Sequence, residues 1–314
     1  MTVGAHPIVI GTRGSSLALC QAQIVQTRLE ERFPARTFTI QTIKAHADRN
    51  PDLSLIAMGG EGVFVKELES ALLEKRIDLA VHSMKDLPLA IPPMLRVAAV
   101  LERDEPRDAL LSRSGQTLDE LPGGSRIGTS SLRRRSQLLH RRKDLELLDI
   151  RGNVDTRLRK LDQGNYDAIV IAACGLIRLG LDERITEYLD LARMLPEPGQ
   201  GALAIEARAD DEEVLTLLRP LEDPVSRSCV EAERAFLRAL GGGCRVPIAA
   251  YASTHNGVLA LEGAVIASDG HQQIRGKADG PITEPIALGE RLAKQLAEQG
   301  ACALLQPRSH DATT

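Results

Sequence analysis

The sequence predicts an α/β protein built from two α/β runs and a strand-rich end. Short β-rich runs alternate with helical patterns through the first part of the chain, as in open sheets with helices between strands. A stretch rich in Glu, Asp and Arg over 101–107, containing Pro106, interrupts the alternation and reads as a hinge. After Pro224 come a helix, a glycine cluster at 241–243, two strands and a last helix, which is a different pattern.

In chain order, 7–10 reads as a strand, 11–16 as a turn, 17–33 as a helix and 38–43 as a second strand. The polar, glycine-containing stretch 45–62 is long for a loop inside a domain and reads as a lid or a disordered segment. A helix follows over 63–74, then strands over 78–81 and 95–100. Beyond the hinge, strands over 125–127, 145–148 and 168–172 alternate with helices over 131–142 and 153–161, the second capped by Asn153. The cluster 196–201 breaks the pattern again. The final part reads as a helix from 224 to 240, strands over 248–252 and 258–266, and a helix over 284–299.

Composition narrows the function classes. Hydrophobic residues make up 43% and charged residues 26%, which suits a soluble globular protein. With 2% aromatics and no Trp, the cores must be built from Leu, Ile, Val and Ala. A net charge of −4 gives no general attraction to nucleic acid. Five scattered cysteines without a C-x-x-C pair read as reduced thiols, and no metal site is expected. No apolar run reaches the ~18 residues of a membrane span. The first residues carry no basic leader pattern, so the expectation is a cytoplasmic protein with no membrane partner.

Four segments carry candidate chemistry. Ile10-Gly-Thr-Arg-Gly-Ser-Ser-Leu17 echoes Ile127-Gly-Thr-Ser-Ser-Leu132, each where a strand hands over to a helix. Backbone N–H groups and hydroxyls there form an anion site, and two such sites on two lobes point to a cleft for a polyanion. Two ordinarily capped helix starts are the alternative. Residues 126–160 hold nine arginines and two lysines against four acids, either a solvated basic face or a bidentate anion binder. Arg133 and Arg134 fall in a first helical turn, where the dipole disfavours cations, so an anionic ligand there would remove a conflict. Val81-His-Ser-Met-Lys-Asp-Leu-Pro88 puts Ser83, Lys85 and Asp86 at a strand's C-terminal mouth, where open sheets bind ligands. His82 there reads as structural. Gly241-Gly-Gly-Cys-Arg-Val-Pro247 sets a thiol beside Arg245, which favours the thiolate, although read alone it fits an inert cysteine better, since most free cysteines are simply buried.

Those segments, with Arg151-Gly-Asn-Val-Asp-Thr-Arg157 and Glu197-Pro-Gly-Gln-Gly-Ala202, resemble in order and spacing the successive signatures of hydroxymethylbilane synthases (porphobilinogen deaminases). The resemblance implies two lobes similar to periplasmic-binding-protein lobes around a cleft and a small C-terminal α/β domain. It places them at 1–101 with 202–219, at 107–195 and at 224–314. It implies a monomer of tetrapyrrole and heme biosynthesis whose small-molecule substrate is porphobilinogen. Four porphobilinogens are then joined head to tail, each losing ammonia, onto a dipyrromethane cofactor in thioether linkage to Cys244, and water releases the linear product.

By the same resemblance, Asp86, Arg13 and Lys85 are catalytic, Asp86 stabilising positive charge on pyrrole nitrogens. Ser83, Lys85, Asp86, Ser131, Arg133 and Arg134 hold the cofactor, while Arg13, Ser15, Gln21, Arg151, Arg157, Arg178 and Gln200 serve substrate. The chain departs from the family at Glu61 and Ala57, where lysines are usual in the loop. Two rivals remain. One is a two-lobed binding protein for an organic anion. The other is a nucleic-acid binder, disfavoured because Tyr166 alone among aromatics lies near the arginines.

Overall fold

A computed structural model describes residues 6–43, 65–242 and 246–305. The loop expected over 45–62, with Ala57 and Glu61, and the thiol of Cys244 lie outside the described residues. The first elements are β1 (Ile8–Thr12), α1 (Ser16–Arg32), β2 (Phe38–Thr42), α2 (Lys66–Leu73), β3 (Leu79–Ser83) and β4 (Leu95–Val100). Next come β5 (Asp108–Ser112), β6 (Arg126–Gly128), α3 (Leu132–Arg141), β7 (Glu146–Leu148), α4 (Val154–Asp162), β8 (Ala168–Ala172), α5 (Ala173–Arg178) and β9 (Glu187–Leu189). Then follow β10 (Leu203–Arg208), α6 (Glu212–Leu218) and α7 (Pro224–Ala239). The described residues close with β11 (Ile248–His255), β12 (Val258–Ile266), β13 (Gln273–Pro281), α8 (Pro285–Glu298) and the one-turn α9 (Ala301–Leu304).

Residue contacts divide the chain into two units, Met1–Asp104 with Ala202–Arg227, and Glu105–Gly201 with Ser228–Thr314. The first unit holds one five-stranded sheet, ordered β2-β1-β3-β10-β4. Strands β1, β2 and β3 are parallel, and β10 runs antiparallel to both β3 and β4. The second unit holds two sheets. One is ordered β7-β6-β8-β5-β9, with β6 parallel to β7 and β8, and β5 antiparallel to β8 and β9. The other is the antiparallel β11-β12-β13.

Helices cover both faces of each five-stranded sheet, which is why the central strands β3 and β8 are buried along all but their last residue. In the first unit, α1 turns Ala22, Val25 and Leu29 onto Ile8, Ile10 and Val81, while α2 packs Leu68 and Leu72 on Ala80 of the opposite face. In the second unit, Leu138, Ile127 and Val170 fill one face and Leu158, Leu161 and Ile169 the other. The antiparallel sheet builds its own core from Phe236, Leu240, Leu261, Leu292 and Leu296. Aliphatic side chains therefore form these cores almost alone, each worth ~1.5–3 kcal/mol when fully buried.

Seven elements carry no signal in the expected pattern: β5, β9, β10, β13, α5, α6 and α9. Strand β10 shows the reason. All six of its residues are buried, including the charged Glu206 and Arg208, and the two alanines of Leu-Ala-Ile-Glu-Ala-Arg favour no strand, so a run this short does not announce an inner strand. Asn153 occupies the N-cap position of α4 with extended backbone, but its side chain makes no capping hydrogen bond.

Candidate active site

In the first unit, β1 leaves the sheet through Arg13 and Gly14 into α1. The Ser15 side chain caps that helix, accepting from the Ala18 N–H at 3.3 Å, and the buried Thr12 hydroxyl donates to the Ala18 carbonyl at 2.9 Å. One turn on, the Gln21 amide donates to Ser83 Oγ at 2.9 Å, joining α1 to the end of β3. Ser83 is followed by a single 3-10 turn, Met84–Asp86, in which Met84 is buried, Lys85 half-buried and Asp86 exposed. The fold therefore gathers Ser15, Gln21, Ser83, Lys85 and Asp86 at the C-terminal edge of β1 and β3. Arg13, half-buried, leads into the α1 cap.

His82 points the other way along β3. It is buried, and its Nε2 lies 3.1 Å from Glu206 of β10, whose carboxylate is fully buried. Burial, followed by the Glu206 charge, pushes the Glu69 carboxyl up from its ordinary value.

In the second unit, α3 starts with the same device. Ser131 caps it, accepting from the Arg134 N–H at 3.4 Å. Helix α3 then inverts the usual amphipathic rule: Arg133 is 2% exposed and Arg134 5%, whereas Leu132 is 40% exposed. The expected conflict between these cations and the helix dipole is resolved inside the protein, by Asp108 at the start of β5. Arg133 Nη1 donates to Asp108 Oδ2 at 2.7 Å, and Arg134 Nε donates to Asp108 Oδ1 at 2.9 Å. Burial opposes ionisation of Asp108. The Arg133 and Arg134 charges, with hydrogen bonds from Arg133 and Gln200, outweigh it and hold the carboxyl well below the usual carboxylate range.

The conflict that an anionic ligand was expected to remove is thus already met by a carboxylate of the protein. Counting charges over 126–160 misses Asp108, and also Asp167, which pairs with Arg126 at 2.9 Å. A surplus of positive charge nevertheless remains. Arg157, which donates to the Gly152 carbonyl at 2.8 Å, is pushed down to about 10 by burial and then by the Arg134 charge. Nε of Arg133 is buried without a hydrogen-bond partner.

Gln200 is fully buried. Its amide donates to Pro106 O at 2.7 Å and to Asp108 Oδ1 at 3.0 Å, while its oxygen accepts from Arg134 Nη2 at 3.4 Å. Arg178 donates to the Gly201 carbonyl at 2.7 Å. Arg151 is exposed and its carbonyl accepts from Lys160 at 3.1 Å. The structure thus joins Arg133, Arg134 and Gln200 in one network and sets Arg157 close enough to Arg134 to feel its charge.

Helix α7 ends in a Schellman motif, with Gly241 N–H donating to Arg238 O and Gly242 N–H to Leu237 O, both at 3.0 Å. Gly241 takes φ +68°, which a side chain would resist. A Cβ on Gly242 would lie 2.5 Å from Leu237 Cδ1 and 3.0 Å from Leu237 O. Gly241 and Gly242 are thus a helix stop immediately before residues 243–245, which include Cys244 and lie outside the described residues.

Sequence reasoning missed Asp108, and Gln137, whose side-chain amide bonds both backbone groups of Leu195 beside Arg133. Asp108 lies 25 residues from Arg133, and no local pattern links them. Gln137 was findable, being one helical turn beyond Arg133 on the same face. Among the described residues, no cluster of His, Cys, Asp and Glu could hold a metal ion, and no helix is long and apolar enough to cross a membrane.

Comparison with known proteins matches residues 8–216 to the family described as porphobilinogen deaminase, dipyromethane cofactor binding domain. Residues 227–298 match porphobilinogen deaminase, C-terminal domain. The porphobilinogen deaminase of Desulforudis audaxviator is 50% identical over 298 residues, covering 95% of this chain and 96% of the relative. That of Roseiflexus sp. strain RS-1 is also 50% identical over 298 residues, covering 95% and 98%. The Methylobacillus flagellatus enzyme is 47% identical over 304 residues, covering 97% and 98%. A solved periplasmic VFT2 domain of BvgS from Bordetella pertussis is 15% identical, with a TM-score of 0.39 over 67% of this chain and 84% of that one. At that score it adds nothing to the sheet topology. With both family matches and relatives of half-identical sequence spanning nearly its whole length, the chain belongs to the porphobilinogen deaminase family.

Proposed function

We propose that the chain joins four porphobilinogen molecules head to tail onto a covalently held dipyrromethane, each addition releasing ammonia, and frees hydroxymethylbilane by hydrolysis. The carrying observation is family membership along 8–216 and 227–298, with a cofactor-binding domain named for dipyrromethane. The dipyrromethane supplies the terminal pyrrole carbon to which the first substrate unit is joined. The residues fit such a polycarboxylate. Arg133 and Arg134 share one buried carboxylate, Asp108, burial and then the Arg134 charge lower the Arg157 pKa, and Arg133 Nε has no acceptor. A carboxylate at this helix start satisfies donors and relieves repulsion together.

In this reading Cys244 carries the cofactor through a thioether. Ser83, Lys85, Asp86, Ser131, Arg133 and Arg134 hold it. Asp86, exposed at the mouth of β3, stabilises positive charge on pyrrole nitrogens, with Arg13 and Lys85 beside it in role. Arg13, Ser15, Gln21, Arg151, Arg157 and Arg178 engage the substrate and the growing chain. Gln200, buried with both amide ends engaged, serves substrate through Asp108 and Arg134. The division into 1–101 with 202–219, 107–195 and 224–314 is supported by the separate apolar cores of the two sheets in the second unit. Free thiols at Cys174 and Cys302 fit a reducing, cytoplasmic setting.

Intact mass of the purified protein tests this reading: a two-pyrrole adduct is expected on the native chain and absent from Cys244→Ser. No adduct would leave an organic-anion binding protein as the better description. Asp86→Asn should keep the fold and lose ~10²-fold or more in turnover, as for other single preorganised charge-stabilising groups.

A further inference from the structure

Segment 195–201 is held from two sides within the second unit. On one side, Leu195 O accepts from Arg133 Nη1 at 2.8 Å and from Gln137 Nε2 at 2.9 Å, while Leu195 N–H donates to Gln137 Oε1 at 2.8 Å. Gln200 at the far end bonds Asp108. On the other side, Leu195 packs with Ala249, Ala264 and Ile266 of the antiparallel sheet, and Pro196 O accepts from the Ala250 N–H at 3.1 Å. At the centre stands Glu233 of α7, fully buried. Its Oε2 accepts from the Gly199 N–H and its Oε1 from the Ala252 N–H of β11, both at 2.7 Å. One carboxylate thus fastens the residue before Gln200 to the sheet that follows the glycine cluster.

We propose that Glu233 is a positioning residue for the cofactor-side arginines, acting through Gly199 and Gln200 on Asp108. The proposal rests on the reading of Arg133 and Arg134 as cofactor holders. The chemistry of the site requires a carboxylate. An apolar side chain would orphan two buried N–H groups, and an amide could accept from only one of them, because its NH2 end only donates. Release of Gly199 frees Gln200 to leave Asp108, and Asp108 then loses a donor while its two arginines lose their common reference point. Glu233 also lies on the helix whose Schellman stop precedes Cys244. The same side chain therefore registers the helix leading to the cofactor thiol against the groups that hold the cofactor's carboxylates.

The experiment measures cofactor loading by intact mass, as the fraction of folded protein with adduct and as the rate at which apo-protein gains it from porphobilinogen. Glu233→Gln and Gln200→Leu should each slow loading about tenfold, the scale of losing one hydrogen bond to a charged group. The double variant should be no slower than the slower single, because both act in one chain of contacts. Leu261→Ala, in the apolar core of the antiparallel sheet, should lower Tm without slowing loading, which separates positioning from stability. If Glu233→Gln does not fold, Glu233→Asp, which keeps the charge and shortens the reach, takes its place with the same expectation. Normal loading in the folded Glu233 variant, or multiplying effects in the double variant, would overturn the proposal. If Arg133→Leu and Arg134→Leu also load normally, the cofactor reading of the arginines falls as well. If they fail to load while the Glu233 variant succeeds, the positioning role alone is wrong.

Discussion

The two five-stranded lobes repeat one plan. Each has three parallel strands in the same order, and each receives its antiparallel strand from the point where the chain enters or re-enters it: β5 in one, β10 in the other. The middle of the three parallel strands in each lobe, β1 or β6, carries a glycine in close contact, Gly11 against Ile77 and Gly128 against Ile169 and Tyr166, then a fully buried threonine and a serine cap. The lobes part at three corresponding positions. Two and three residues after the cap, α1 has Leu17 and Ala18, while α3 has Arg133 and Arg134. Opposite the last residue of the third parallel strand, β10 places Leu203 and β5 places Asp108. The backbone is indifferent to which trio it carries. Anion chemistry at a helix start is therefore a choice of side chains made on a shared scaffold, and the fold alone does not confer it.

Converting one trio into the other should break the comparison most severely. Asp108→Asn alone leaves two buried cations without their counter-ion and should cost ~3–5 kcal/mol in a denaturant titration. The triple change Asp108→Leu, Arg133→Leu, Arg134→Ala writes the first lobe's trio into the second. It should recover most of that stability, as replacement of buried ion triads by apolar groups does elsewhere, and still load no cofactor by intact mass. A triple variant that loads would mean the arginines serve only the fold.

Single arginine changes should sharpen the division of labour. Arg133→Leu is expected to impair cofactor assembly. Arg13→Leu, together with Arg151→Leu and Arg157→Leu, should keep the adduct and stall at later additions, seen as discrete enzyme–substrate masses. A uniform rise in KM without stalling would reduce these residues to a general electrostatic attraction.

Acid should act on the second lobe through Asp108. Its folded carboxyl sits below its unfolded value, so the unfolded chain binds the proton first as pH falls. The stability it contributes is complete above the unfolded carboxylate range near pH ~4 and declines below it. Asp108→Asn should remove that component, so its stability should fall less steeply with acid than the wild type's. Parallel acid-unfolding curves would argue that Asp108 does not hold a depressed pKa.

The serine caps should give the smallest effect. Ser15→Ala and Ser131→Ala each remove one cap bond, worth ~1 kcal/mol, and should lower Tm alike. Slower loading is expected only in Ser131→Ala. Equal loading in both would make Ser131 a helix cap and nothing more.

Some of this was fixed locally, in residues near each other in sequence. The strand-to-helix handovers at Gly11–Ser16 and Gly128–Ser131, the helix stop at Gly241–Gly242, and the turn bearing Lys85 and Asp86 each depend on a few neighbouring residues. Their periodicity, capping chemistry and glycine requirements were legible in the chain. What only the tertiary structure decided depends on partners far apart in sequence. Strand β10, buried on both faces with two charged residues on one of them, could not be read as an inner strand until two neighbours enclosed it. Asp108 reads as one acid opening a short apolar run, and becomes the counter-ion of two arginines only when β5 lies beside β8 below the start of α3. Gln200 and Glu233 likewise gain meaning from Asp108 and Gly199, brought to them by packing. Buried charge must find its partner wherever the fold delivers one, because leaving it unpaired in a low-dielectric interior costs several kcal/mol. That requirement is global, which is why these positions could not be read from their neighbours.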